Sequence, residues 1–387
     1  MSAQNFPDLI FVSLENWDHI WRRNQFLCAS LARRFPDLKI LFVGPVWDAV
    51  HYLRRRDVQA LRRPKIWSVA DFPNITVTRA WKLLPNSLPG ARRFNEGVMR
   101  RHVRAAAGHI GIKQPILWLN PHHAVHMVGR MNERAVIYDI TDDWALASGS
   151  PTKKQLVEKQ DRQSCQAADL VVVCSEALEQ SRRELCKNIL LLPNGVDVTH
   201  YKNVATSPGH KPSSWPSPVF GYTGTLHSDR VDSTIVLALA RAFPQGSVVL
   251  VGPGRLASAD RHALESEKNV HLPGAVPYQQ IPHVMAQFDV CITPHLETEF
   301  TESLNPIKLW EYLAAGKPIV STNVAGFRSY SHLCHIASGP QAFIEACRLA
   351  LQENGDKKAA RIAEAARHSW ESRVDRLLEA LQCIGIK

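Results

Sequence analysis

Short apolar runs rich in β-branched residues recur along the chain and alternate with longer stretches whose apolar positions repeat at helical spacing. LIFVS (9–13), KILFVGP (39–45), PILWL (115–119), DLVVVCS (169–175) and ILLL (189–192) read as buried strands of a first α/β region. Helical stretches over 20–34, 92–109, 152–168 and 176–187 separate them. Residues 46–90, rich in Arg, Pro and Trp with weak periodicity, read as loops and short elements. A second α/β region shows the same alternation. Its strands are VFGYT (219–223), GSVVLVG (246–252), NVHLPG (269–274), FDVCITP (288–294) and IVST (319–322), and helical runs follow over 278–287, 306–315, 340–353 and 356–383. Between the two regions, NVATSPGHKPSSWPSP is rich in Pro and Ser and has no periodic pattern, which marks a linker. The expected organisation is a domain over 1–202, a linker over 203–218, a second domain over 219–365 and a closing helix over 366–387.

Length and composition agree with two domains that each bury their own core. The chain has 387 residues, and its 45% apolar and 21% charged composition is that of a globular protein rather than a disordered one. No run approaches the roughly 20 apolar residues that span a bilayer. The opening MSAQNFPD is polar and lacks a signal-peptide pattern, so a cytoplasmic protein is expected. Eight scattered cysteines without a CxxC pair suggest reduced thiols, not a zinc site or a disulfide framework.

Charge changes this picture on one side only. Residues 1–135 hold 21 Lys or Arg against 9 Asp or Glu, a net +12, which leaves −2 for the remainder of a chain whose total is +10. Arg22-Arg23, Arg33-Arg34, Arg54-Arg55-Arg56, Arg62-Arg63-Lys65, Arg92-Arg93 and Arg100-Arg101-Arg104 supply most of the excess, interleaved with Trp17, Trp21, Trp47, Tyr52, Trp67 and Trp81. Such a surface suits an anionic partner. The anionic leaflet of a membrane is the partner expected here, with peripheral placement at the inner face of the cytoplasmic membrane. Nucleic acid is not, because no recognition motif accompanies the charge.

The most informative stretch for chemistry is ESLNPIKLWEYLAAGKPIVST (302–322). Asn305 is a competent N-cap, Pro306 suits the first helical position, and Gly316 can end the helix in a left-handed turn. A capped N-terminus suits a phosphate, through free N–H groups and the positive end of the helix dipole. Lys308 and Glu311 lie one turn apart; the first can pair with a phosphate and the second can accept two hydroxyl hydrogen bonds from a diol. An ordinary amphipathic helix with a surface Lys–Glu pair has the same spacing. The segment AVIYDITDDW (135–144) sets a Tyr, three carboxylates and a Trp at a strand end, where sites of open α/β sheets lie, though a solvated acidic turn would look alike. His122 stands in the loop after the 115–119 strand. VFGYTGTLHSDR (219–230) places Gly221 and Gly224 where a backbone can approach a ligand, with His227 and Arg230 nearby. The loop after 246–252 lacks the spacing and acidic partner of a dinucleotide fingerprint, which argues against an NAD enzyme.

NPIKLWEYLAAGKPIVST, together with YD..DDW, NGVD at 194–197 and HSWESR at 368–373, resembles the GT-B glycosyltransferases, especially those of bacterial exopolysaccharide and teichuronic-acid-type synthesis. The resemblance covers roughly 135–383 and is strongest over 305–322, while the first 110 residues are recognisable only as α/β. It implies two Rossmann-like domains facing a cleft, with a C-terminal helix crossing back to the first. It also implies a nucleotide-sugar donor, foremost a UDP-sugar, and a glycan or lipid-linked acceptor. By resemblance, Glu311 binds the donor ribose, the turn containing Ser303, Leu304 and Asn305 holds the diphosphate with Lys308, and the loop of Gly224 and Arg230 assists. Many relatives carry a second glutamate where this chain has Ser303, and Glu302 stands one residue upstream. Asp142, Asp143 and His122 are the candidates to take the acceptor proton. Neither metal nor cofactor is expected. A non-catalytic scaffold subunit of the same fold and a sugar-nucleotide epimerase remain open alternatives.

Overall fold

A computed structural model describes residues 6–57, 65–144, 150–204, 215–302 and 305–386. The chain forms two compact units. One comprises Met1–Ala145, Gly149–Leu192 and Val374–Lys387, and the other is built from Pro193–Arg373. Residues 193–202, expected in the first domain, therefore belong to the second unit. The closing helix Trp370–Cys383 belongs to the first unit from Val374 onward.

The first unit is organised on an eight-stranded sheet. In spatial order its strands are Ile189–Leu191, Leu170–Val173, Ala135–Ile140, Ile116–Leu119, Leu9–Val12, Ile40–Val43, Phe72–Thr78 and Ile66–Val69. All neighbours are parallel except the last pair, which is antiparallel. The four inner runs at 9–12, 40–43, 116–119 and 170–173 are buried at every residue, as a parallel sheet covered on both faces requires. Phe72–Thr78 corrects the reading of 46–90 as loops and short elements, because this seven-residue strand pairs in register with Ile40–Val43. Pro73 and Asn74 break its apolar pattern, yet Phe72, Ile75 and Val77 are buried while Pro73 faces out. A proline is tolerated in such a place near a sheet margin.

The second unit carries a six-stranded parallel sheet in the order Val270–Gly274, Ser247–Val251, Val219–Thr223, Val290–Thr293, Ile319–Ser321 and His335–Ile336. Helices cover both faces. Ile307–Ala314 packs in one apolar cluster, and Ser233–Ala242 with Pro340–Leu351 packs in the other. The strand order reverses at Val219–Thr223, whose neighbours Ser247–Val251 and Val290–Thr293 lie on opposite sides. Ligands of open α/β sheets bind just beyond the carboxyl ends of the strands at such a point. Thr223 and Gly224 stand there.

Gly221 sits inside that central strand, and a Cβ on it would overlap the Phe288 ring. Gly221→Ala is expected to destabilise the protein by about 1–3 kcal/mol, the usual cost of overpacking. The transition midpoint in urea would fall accordingly, and an unchanged midpoint would contradict this packing.

Candidate functional site

Beyond the central strand of the second unit, two backbone segments and one lysine are pressed together. Gly224 N–H donates to the Val251 carbonyl at 2.7 Å. Gly224 and Gly252 have φ of +145° and +151°, a region that side chains rarely enter. A Cβ on Gly252 would collide with the Gly224 carbonyl, and one on Gly224 would collide with Cε and Nζ of Lys308. Only glycine fits at either position. The half-buried Lys308 lies against the Gly224 backbone, with its ammonium 5.3 Å from the centroid of the Tyr222 ring. Burial pushes the Lys308 pKa down to about 8; Glu311 acts to raise it and Arg230 to lower it. Arg230 is itself half-buried, with its guanidinium 5.4 Å from the Phe300 ring centroid. His295 is buried beside them and kept neutral by that burial and by the charges of Lys308 and Arg230. Two cations that each disfavour a neighbouring positive charge define a place for an anion.

The helix that carries Lys308 starts at Ile307, not at Pro306. Pro306 takes an extended ψ of 124° and packs where a Cβ on Gly326 would strike its ring. Asn305 is not the side-chain cap that its position suggested. Its Oδ1 accepts from the Asn194 N–H at 2.9 Å, and its carbonyl accepts from the Asn194 side-chain amide. The Asn-Gly turn at 194–195 thus holds the approach to the helix. Gly316, at φ +65°, ends it as expected. Ser303 and Leu304 lie outside the described residues. Glu302 is engaged by Arg328 at 2.7 Å on the surface.

Glu311 projects from the same helix as Lys308. The hydroxyl of Tyr201, a fully buried residue, donates to Glu311 Oε1 at 2.9 Å. Burial raises the Glu311 pKa, and the bonds from Tyr201 and the charge of Lys308 oppose that rise. Tyr201 was not among the residues picked out from sequence, because nothing local marks a Tyr in the short helix Val198–Tyr201 as reaching residue 311. Behind Glu311, Trp310 stacks on His368 at 4.0 Å. Val196 exchanges backbone hydrogen bonds with His368 and Trp370, so NGVD, the Lys308 helix and HSW form one assembly.

The acidic turn of the first unit resolves into different roles. Asp139 is fully buried and bound by Arg23 through Nε and Nη2 at 3.1–3.2 Å. Arg23 therefore does not contribute to the basic surface to which its sequence neighbours pointed. Asp143 is buried and held by both terminal nitrogens of Arg182 at 2.7 and 3.0 Å. Arg182 also binds Asp161 at 3.1 Å, and Asp161 accepts from the Tyr138 hydroxyl at 2.6 Å. The half-buried Asp142 and His122 share a small cavity with this network. Burial, with smaller contributions from His123 and Lys153, pushes the His122 pKa down to about 4, so the imidazole is neutral at pH 7. Arg23, Asp161 and Arg182 were missed from sequence because their pairings span 21 to 116 residues of chain. Among the described residues, no group of three or more His, Cys, Asp or Glu could hold a metal ion.

With this geometry established, comparison with known proteins identifies the fold class. Solved structures superpose on nearly the whole chain and share the GT-B glycosyltransferase fold. Sucrose-phosphate synthase from Thermosynechococcus elongatus gives a TM-score of 0.71 at 15% identity, over 98% of this chain and 99% of its own. Anabaena HepE in complex with UDP gives 0.66 at 15% identity, over 97% and 100%. Residues 217–353, within the second unit, match the family described as glycosyl transferases group 1. A curated relative, the putative teichuronic acid biosynthesis glycosyltransferase TuaH of Bacillus subtilis (strain 168), is 26% identical over 238 residues. That similarity spans 57% of this chain and 60% of the relative.

Lys308 should titrate with a midpoint of about 8 when followed by NMR. Glu311→Gln should lower that midpoint further, because it removes the charge that favours the ammonium. A midpoint near the ordinary lysine value in both proteins would contradict the burial described here.

Proposed function

We propose that this protein is a glycosyltransferase that moves a sugar from a nucleotide-sugar donor, foremost a UDP-sugar, to a glycan or lipid-linked acceptor in bacterial surface polysaccharide synthesis. The observation that carries this reading is Lys308 pressed against the Gly224 backbone, within electrostatic reach of both Arg230 and Glu311. A diphosphate would meet the two cations, and the ribose hydroxyls would donate to Glu311. The UDP complex of Anabaena HepE and the name of the Bacillus relative support the same direction. In the transfer, the bond between the sugar anomeric carbon and the diphosphate oxygen breaks, and its electron pair leaves with the diphosphate. The acceptor oxygen forms the new bond to that carbon and its proton passes to a base. Charge develops on the leaving oxygen, so Lys308 and Arg230 stabilise the transition state more than the ground state.

For the proton we favour Asp142. Asp142 lines the small cavity shared with His122, and Asp143 is held beside it by Arg182. Asp143 and Arg182 then act as positioning groups for the turn. The reading assigns no metal ion, since two protein cations already supply positive charge for the leaving group. It further assigns the protein to the inner face of the cytoplasmic membrane, on the +12 of residues 1–135. No helix among the described residues is long and apolar enough to cross that membrane.

Calorimetric titration with UDP and GDP tests the donor site. One nucleotide is expected to bind, and Glu311→Ala should weaken it by about 1.5–3 kcal/mol, the worth of hydrogen bonds to a charged acceptor. Binding of neither by the folded protein would favour the scaffold alternative. Transfer activity should also persist after dialysis against EDTA. Loss of turnover that added divalent cation restores would overturn the metal-free reading.

A further inference from the structure

The described residues of the whole chain include ten large apolar side chains with substantial exposure, and six of them fall within residues 46–94. Of these, Leu53 is 61% exposed, Leu88 50%, Phe94 48%, Leu83 42% and Leu84 36%. They are not scattered loop residues, because hydrogen bonds and ring contacts join the segments that bear them. Strands Trp47–Asp48 and Trp81–Lys82 pair with each other, and Trp47 packs on Trp81 at 5.1 Å. Tyr52, from the short helix Ala49–Arg54 that carries Leu53, meets the Trp81 ring edge-on at 5.9 Å. Asn95, in the first turns of helix Ala91–His109, accepts from the N–H groups of Leu83 and Leu84 and donates to the Leu84 carbonyl. The result is one lobe of the first unit with a rigid aromatic base and apolar tips turned to solvent.

Exposed arginines flank those tips. Arg54, Arg55 and Arg56 follow Leu53, and Arg92 and Arg93 precede Phe94. Acidic groups within the lobe are few: Asp48 is paired with Lys82 at 2.6 Å, Glu96 with Arg92 at 3.5 Å, and Asp57 follows the three arginines. A monomeric surface rarely combines leucines this exposed with an excess of positive charge unless it meets an apolar, anionic partner. A lipid bilayer carrying anionic headgroups offers both.

We propose that this lobe is a membrane-insertion surface, with Leu53, Leu83, Leu84, Leu88 and Phe94 entering the acyl boundary while the flanking arginines engage anionic headgroups. The inference deepens the membrane assignment made above, where charge alone was invoked. Charge without apolar contact predicts binding that salt abolishes, whereas insertion leaves a salt-resistant part.

The test is co-sedimentation of the full chain with phosphatidylcholine vesicles, with and without phosphatidylglycerol, at low and high salt. The expected result is capture by anionic vesicles that persists in part at high salt. The variant Leu53→Ser/Leu88→Ser/Phe94→Ser should lose on the order of tenfold or more of that salt-resistant partitioning. Arg54→Gln/Arg55→Gln/Arg56→Gln should instead reduce low-salt capture and leave neutral vesicles unaffected. All six substituted positions are exposed, and circular dichroism verifies that each variant is folded. Equal salt-resistant capture of wild type and the Ser variant overturns the proposal, as does no capture at all. A Ser variant that turns a dimer into a monomer while vesicle binding is unchanged would assign the lobe to a second copy of the chain. Nucleotide titration is independent of vesicles, so the donor site and the membrane surface can fail separately.

Discussion

The hydrogen bond from Tyr201 to Glu311 is the constraint around which the second unit arranges its chemistry. A carboxylate on a helix beside a half-buried lysine has several rotamers open to it, and Tyr201, itself without solvent exposure, selects one. The bond also works against the burial that would otherwise favour the neutral acid. Its geometry depends on the chain entering the unit correctly. That entry is set by Asn194, which donates two hydrogen bonds to Asn305, and by Val196, which pairs with His368 and Trp370. Residues 194, 201, 305, 311 and 368 therefore act together, although they come from three separate stretches of the chain.

A different economy governs the first unit. Its acidic turn holds three carboxylates in close succession, and two of them are neutralised by buried arginines from distant helices. Breaking either pair would strand a buried charge, which is costlier than the pair is stabilising. Asp139 and Asp143 therefore fix the backbone on both sides of Asp142. The remaining carboxylate is half-buried in a rigid setting, next to an imidazole that burial keeps neutral.

How much of this was legible in the sequence depended on range. Strands written as unbroken apolar runs, such as LIFV and LVVV, and helices with clear periodicity could be read directly. So could the Lys308 helix, because Gly316 and the apolar positions Leu309, Tyr312 and Leu313 agree locally. Phe72–Thr78 was hidden, since Pro73 and Asn74 interrupt a pattern that only its pairing with Ile40–Val43 completes. Asn305 illustrates the same limit in reverse. A good N-cap residue in the right place was captured by a tertiary partner, and the helix began one turn position later. Arg23 looked like a member of a basic surface cluster because charge in a sequence carries no label of burial.

Lys308 brings these levels together. Its ammonium is disfavoured by burial and by Arg230, and favoured by the charge of Glu311 and the face of the Tyr222 ring. Glycine at 224 lets the lysine come this close to the backbone; any side chain there would push it outward, where water would restore its ordinary basicity. The two glycines, the arginine and the carboxylate thus set a single property, a cation whose charge is incompletely compensated by the protein. A dianionic group arriving at that point supplies the compensation, whereas a neutral group of the same shape does not. On the donor reading proposed above, selectivity for a diphosphate over an uncharged sugar follows from the placement of a few groups at one strand end, before any contact with the base or the sugar is considered.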